Sequence, residues 1–97
     1  MAATDDRFMR LLVFFDLPVQ TKEERRHATQ FRKFLLNDGY FMLQWSVYCR
    51  ICRGEDNAQT HLNRLKGAVP AKGSIRSLQI TDQQYGRMQL LLGTTIK

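Results

Sequence analysis

Long apolar runs are missing from this chain, and its first residues lack the pattern that we would expect of an export leader. No apolar stretch approaches the roughly 20 residues that span a bilayer. The opening residues, Met1 to Asp6, do not combine a basic start with an apolar middle, so they do not match a signal peptide. We therefore expect a cytoplasmic protein with no membrane partner.

Cysteine is scarce, and the two that occur, Cys49 and Cys52, form a single Cys-x-x-Cys pair. A zinc site needs two further ligands at regular spacing, and His27 and His61 are isolated in the sequence. A redox pair places its first cysteine at a helix N-terminus. This stretch alternates like a strand, which puts the two thiols on opposite faces. We expect both to be ordinary small apolar residues.

Several motifs that define enzyme classes are also absent. The chain has no Walker loop and no dinucleotide-binding glycine pattern. It has no serine in a nucleophile elbow, although a Ser/His/Asp set is not excluded by residue count alone. An RNA-recognition module needs a third strand rich in basic, glycine and aromatic residues, and Ser46 to Ile51 lacks that pattern.

Positive charge is what the chain has in excess. It carries 15 Lys and Arg against 9 Asp and Glu, for a net charge of +6 and a pI near 9.8. With 43% hydrophobic residues, the 97 residues predict one globular domain over 1–97, with residues 1–7 as a loose arm. The charge favours an acidic partner, and nucleic acid is the commonest of these.

The stretch from Phe8 to Asp16 predicts a strand that is apolar on nearly both faces. Helices on one side of a small sheet would leave the other face exposed to solvent. A second subunit is the simplest way to bury that apolar face. Asp16 shares that face just before Pro18 stops the strand. Next to a two-fold axis it would meet its own symmetry mate, and such a carboxylate pair favours magnesium.

A helix should follow, because Thr21 and Glu24 form a capping box and Gly39 suits the position after the helix end. Its apolar side is Ala28, Phe31, Phe34 and Leu35. Basic residues occupy the opposite half, and they form either a solvated face or a set of phosphate contacts. These residues are Lys22, Arg25, Arg26, Arg32 and Lys33.

The remaining pattern completes a ferredoxin-like α+β sandwich, βαββαβ with an extra C-terminal strand. Residues 40–51 alternate as one long strand or as two shorter strands broken at Gln44 to Ser46. A second helix opens at residues 54–57 with Ala58, Leu62, Leu65 and Val69 inward, and Pro70 closes it. Then come a strand over 74–81, a short turn over 82–86 and a last strand over 87–92. Lys72 and Arg76 give a second basic candidate near the turn before the 74–81 strand.

In order and spacing, several segments resemble the small CRISPR-associated spacer-acquisition proteins, the Cas2 family. The resemblance covers about residues 8 to 93. The Phe-Phe-Asp-Leu-Pro motif is most similar to that of members from type II systems. The matching segments are the apolar strand ending in Asp16, Phe31-Arg-Lys-Phe-Leu-Leu36, Gly39-Tyr-Phe41, Gln44-Trp-Ser-Val-Tyr48, the segment from Gly73 to Thr81, and Gln84-Tyr-Gly-Arg-Met88.

This resemblance implies a ferredoxin-like homodimer in which Asp16 is shared across the dimer and assigned to Mg²⁺, as metal ligand and catalytic residue. It also implies a partnership with the CRISPR integrase Cas1, in which the dimer grips the double-stranded DNA to be inserted. For nucleic-acid contact we single out basic residues near the first helix and the later turn. They are Lys22, Arg25, Arg26, Lys33, Lys72 and Arg76.

Two other functions compete with this architectural role. One is a stand-alone metal-dependent endonuclease acting on single-stranded RNA or double-stranded DNA, which the family resemblance also implies. The other is a ferredoxin-like dimer that senses a small metabolite, but the glycine-rich ligand loop that would mark it is missing. If the protein is an enzyme at all, we expect it to be a Mg²⁺-dependent endonuclease whose activity is dispensable for spacer acquisition.

Overall fold

The computed structural model describes residues 8–93, and the predicted arm over residues 1–7 lies outside that range. Within residues 8–93 the chain forms four strands and three helices. In order they are β1 (Phe8–Asp16), α1 (Lys22–Asn37), β2 (Phe41–Gln44), β3 (Val47–Arg53), α2 (Gly54–Lys66), β4 (Ser74–Thr81) and α3 (Asp82–Gly86). No helix in residues 8–93 is both long and apolar enough to cross a membrane.

The strands form one antiparallel sheet in the order β2-β3-β1-β4. The strand that is apolar on both sides, β1, therefore lies in the interior of the sheet. Leu12 pairs with Cys49 on one side and Leu78 on the other, and Asp16 pairs with Ser74. The predicted α+β, ferredoxin-like fold is confirmed.

The core lies between the sheet and the two long helices. Leu11 and Val13 of β1 are buried against Phe31 and Leu35 of α1. Phe15 meets Phe31 edge to face, with ring centroids 5.2 Å apart, a favourable geometry for aromatic pairs. Alternation along β1 thus sends its odd-numbered side chains under the helices and leaves the even-numbered ones on the other face.

The predicted start and end of α1 are both confirmed. The Glu24 backbone N–H donates to the Thr21 hydroxyl at 3.0 Å, and the Thr21 N–H donates to the Glu24 carboxylate at 3.1 Å. At the other end Gly39 has φ +95°, a conformation that L side chains rarely adopt. A Cβ there would also lie 3.0 Å from the Arg50 guanidinium, so the turn needs glycine.

Residues 40–51 form two strands, which settles the alternative that the sequence left open. Trp45 and Ser46 make the turn between β2 and β3, and Ser46 has φ +63°. The Phe15 N–H donates to the Ser46 carbonyl at 3.1 Å, which ties the turn to the end of β1. Periodicity misses the turn because it contains neither glycine nor proline.

Two predictions about the second half of the chain are wrong. Residues 82–86 form a short helix capped by Thr81 and Gln84, and residues 87–93 form no strand. No ladder joins residues 87–93 to either edge of the sheet, and without a neighbouring strand an apolar run has nothing to pair with. Leu91 is 89% exposed there. In α2 the buried residues are Ala58, His61 and Leu65, and Leu62 packs partly buried against the core. A third prediction is also wrong, because Val69 is exposed beyond the helix end instead of facing inward.

Candidate functional site

The face of the sheet opposite α1 and α2 carries the even-numbered side chains of β1. Near the start of β1 this face is covered by α3. The Arg10 Nε donates to Asp82 at 2.7 Å, and its guanidinium lies 3.9 Å from the centre of the Tyr85 ring. Leu12 and Cys49 are buried on this face. Cys52 lies in the core on the other face, so the two thiols point apart as predicted.

Burial raises the pKa of both thiols, which keeps them protonated near neutral pH. Both cysteines are free and buried. They therefore act as the small apolar residues that the sequence predicts.

Beyond α3, the same sheet face is apolar and open. Directly paired residues of antiparallel strands share a face, so Phe14, Ile51 and Leu78 project together with Phe41. Phe14 is 37% exposed and Leu78 is 51% exposed. Contiguous apolar exposure of this kind is typical of an interaction surface.

Asp16 lies at one end of this open face. Its carboxylate is exposed and lines a shallow cavity of about 200 Å³ together with Phe14, Phe15, Ser74 and Arg76. Gly73, just before β4, allows the backbone to pack against the end of β1. Its φ is +114°, and a Cβ there would lie 2.9 Å from the Asp16 carbonyl oxygen. The structure therefore places Asp16 and Arg76, both predicted site residues, side by side.

The donor set at Asp16 fits Mg²⁺ only as part of a larger site. Among residues 8–93, no three Asp, Glu, His or Cys side chains converge on one point. Magnesium is often held by one or two carboxylates, with water and substrate phosphates completing its coordination. A single chain supplies one carboxylate, and Arg76 beside it suits a phosphate.

The other predicted basic residues divide between two regions. Lys22, Arg25 and Arg26 are exposed at the start of α1, near the end of β1. Lys72 belongs to the same region, because its ammonium lies 3.9 Å from the Glu24 carboxylate. Lys33 is eleven residues from Lys22, or about 16 Å further along the helix axis. It therefore lies apart from the basic residues at the start of α1.

Some of these charges already have partners within the chain. Arg25 donates to the Val19 and Gln20 carbonyls at 3.2 and 3.1 Å, so its guanidinium closes the loop before α1. Arg26 lies 3.7 Å from Glu23, an exposed pair of the kind that contributes little to stability. Arg25 thus has a structural role that sequence reasoning missed.

A buried polar cluster joins α1 to α2, and the sequence did not predict it. The Asp38 carboxylate lies 2.8 Å from Nδ1 of His61 and accepts a hydrogen bond from Arg64 at 2.7 Å. Arg50 donates to the Asp38 carbonyl at 2.6 Å. Burial by itself raises the pKa of Asp38, but the hydrogen bonds from His61 and Arg64 outweigh it, and the net pKa lies below its ordinary value.

Asp38→Asn should therefore destabilise the protein in a pH-dependent way. A carboxyl group whose pKa is lowered on folding stabilises the native state above its unfolded pKa of about 3.9, and this contribution is lost as pH falls through the folded value. We expect a loss of about 2 kcal/mol at pH 7, since charged hydrogen bonds are replaced by neutral ones.

Urea unfolding of the wild type and the variant at pH 7, 5 and 3 measures this effect. The exposed Asp56→Asn is the matched control, because it removes the same charge at the surface of α2. The difference between wild type and Asp38→Asn should shrink toward pH 3. A difference that stays constant over this range would mean that the carboxylate charge is not what stabilises the cluster.

The chain is a ferredoxin-like domain with an exposed carboxylate at the end of an open sheet face. The sequence profile described as CRISPR associated protein Cas2 matches residues 9–88. The chain therefore belongs to the Cas2 family.

Several curated proteins are similar over most of the chain, and each is named CRISPR-associated endoribonuclease Cas2. One from Acidovorax ebreus is 56% identical over 88% of this chain and 83% of its own length. One from Flavobacterium psychrophilum is 47% identical over 90% of this chain and 76% of its own length. One from Campylobacter jejuni is 46% identical over 92% of this chain and 62% of its own length.

Proposed function

We propose that the protein is a homodimeric, nucleic-acid-binding scaffold of CRISPR adaptation, acting in the cytoplasm together with the integrase Cas1 on double-stranded DNA. The observation that carries this proposal is the open apolar face with Asp16 and Arg76 at its end. A second copy is the simplest cover for that face. Basic residues at the start of α1 and near Arg76 then supply phosphate contacts.

Asp16 has a metal-binding role in this proposal. In a symmetric dimer, two Asp16 carboxylates near the axis would provide the second donor that one chain lacks. A bound Mg²⁺ would neutralise charge on a phosphate and activate water. Asp16 would hold the ion, and Arg76 would orient the phosphate beside it.

A second candidate is a stand-alone endonuclease on RNA or DNA. The names of the similar proteins favour it, because they describe endoribonucleases. The placement of Asp16 suits this activity equally well. The two functions depend on different features of the protein. A scaffold needs the dimer and its basic surface whether or not Asp16 binds metal, whereas the endonuclease needs the metal at Asp16.

Co-elution tests the scaffold directly. The purified chain is mixed with a Cas1 integrase from the same kind of system and a DNA duplex, and the mixture is separated by size exclusion. We expect one peak that contains both proteins and the duplex. If Cas1 and the duplex elute without the chain at micromolar concentrations, the scaffold function is wrong.

Binding to duplex DNA should depend strongly on salt and weakly on sequence. Each lost phosphate contact lowers the slope of log K against log salt by about 0.9. The double variant Lys22→Gln, Arg26→Gln should therefore lower both the affinity and the slope, the latter by about 2. These residues are preferable to Arg25, whose guanidinium holds the neighbouring loop.

Fluorescence anisotropy of a labelled duplex at several salt concentrations measures this slope. Lys66→Gln is the control, because Lys66 is an exposed lysine of α2 that is not among the predicted phosphate contacts. An unchanged slope in the double variant would mean that the start of α1 is only solvated. Lys72 and Arg76 would then be the better candidates for phosphate contact.

A further inference from the structure

The turn between β2 and β3 holds a large aromatic side chain in solvent. Trp45 is 71% exposed. The turn is fixed, because Ser46 accepts a hydrogen bond from the Phe15 N–H at 3.1 Å. Phe15 precedes Asp16 in β1, so the turn lies at the same end of the sheet as Asp16, with Phe15 facing the helices and Asp16 facing the opposite side.

Arg32 of α1 holds this ring in place. Its guanidinium carbon lies 4.9 Å from the centre of the Trp45 ring and 5.9 Å from that of Phe15. Among residues 8–93, no carboxylate pairs with Arg32. The result is an exposed aromatic surface with a half-buried positive charge beside it that has no acidic partner.

We propose that Trp45 and Arg32 form a stacking platform for an unpaired nucleobase of the bound nucleic acid. Every base has a π-face, so an exposed indole binds single strands with little regard to sequence. Arg32 supplies charge for the adjoining phosphate. This inference rests on the proposed nucleic-acid function and gives it a preference for unpaired nucleotides.

A protein partner is the competing occupant, since exposed tryptophan is also frequent at protein interfaces. The positive charge of the chain and of Arg32 argues against a protein partner at this site. The chain carries a net charge of +6, and the cation beside Trp45 lacks a carboxylate partner within the described structure. An anionic ligand with aromatic rings satisfies both features at once.

The chain contains a single tryptophan, so its intrinsic fluorescence reports this site alone. The full chain is titrated with an oligothymidine of about ten nucleotides and with a blunt duplex of about the same length. Anisotropy of labelled copies gives the affinities independently of Trp45. We expect strong quenching by the single strand and little by the duplex.

Trp45→Ala should weaken single-strand binding about tenfold, as for the loss of one stacked base, and should leave duplex binding unchanged. Trp45→Phe should retain much of the affinity. Leu36→Ala is the control, because Leu36 is an exposed apolar residue on α1. Circular dichroism of each variant establishes that it is folded.

The possible outcomes separate this inference from the proposed function. If the single strand binds without quenching and Trp45→Ala binds it as the wild type does, the platform is wrong and the nucleic-acid function stands. If neither oligonucleotide binds, the nucleic-acid function itself is wrong. If Trp45 fluorescence changes on dilution of the protein alone, Trp45 belongs to a protein interface and the platform is overturned.

Discussion

Asp16→Asn should abolish Mg²⁺-dependent cleavage by the isolated protein while leaving dimerisation and duplex binding intact. The substitution removes the charge that Mg²⁺ needs and keeps nearly the same shape. Because the Asp16 side chain is exposed at a strand end, the fold should tolerate the change. Cleavage of a labelled RNA or duplex, with Mg²⁺ and with a chelator, measures the loss.

Asp56→Asn is the matched control, as an exposed aspartate in the first turn of α2, which follows the residue paired with Phe8 at the opposite end of β1 from Asp16. Integration by the complex assembled with Cas1 should survive Asp16→Asn if the protein acts as a scaffold. Loss of integration in an assembled complex would contradict that function. Cleavage that persists in the variant would place the activity at another site or in a contaminant.

A charge at the centre of the open sheet face should convert the protein to a monomer. Leu78→Glu combined with Ile51→Glu would place carboxylates in the proposed interface, where an unpaired buried ion costs several kcal/mol. Both side chains are substantially exposed in the single chain, so the fold itself should survive. We expect the dimerisation constant to weaken at least 100-fold, since each 1.4 kcal/mol is tenfold.

Light scattering at micromolar concentration distinguishes the two states. The wild type should have a mass near twice 11.4 kDa, and the double variant a mass near 11.4 kDa. Leu36→Glu is the control, because it places the same charge on an exposed leucine of α1. A wild-type monomer, or a variant that remains dimeric, would mean that this face is not the interface. Duplex binding should weaken with the dimer, since each copy supplies half of the basic surface.

Local signals in the sequence predicted most of the fold. The capping box at Thr21, the glycine after α1 and the two-sided apolar β1 each depend on neighbouring residues. Asp16 and Arg76 were both singled out, and the antiparallel pairing of β1 with β4 then brought them together. Both residues could therefore be identified from the sequence, and the strand order was the only long-range information needed to place them near each other.

Two features that the sequence did not predict depend on contacts between distant residues. His61 looked isolated because its partner, Asp38, is 23 residues away at the end of the other helix. The turn at Trp45 was one of two open alternatives, because it carries no glycine or proline and Ser46 adopts the left-handed conformation in their place. Residues 87–92 have the composition of a strand, but strand formation requires a partner, and residues 8–93 offer none.

The strand order also determines when the site is assembled during synthesis. The interior strand β1 is made first, but its neighbour β4 is made last among the strands, and Asp16 faces Ser74 across 58 residues. Until Ser74–Thr81 leaves the ribosome, one edge of β1 exposes unpaired backbone and apolar side chains, a state that is prone to aggregation. The cavity around Asp16 and Arg76 therefore cannot exist in a partly made chain, and any truncation before β4 should yield a protein that associates non-specifically and holds no site.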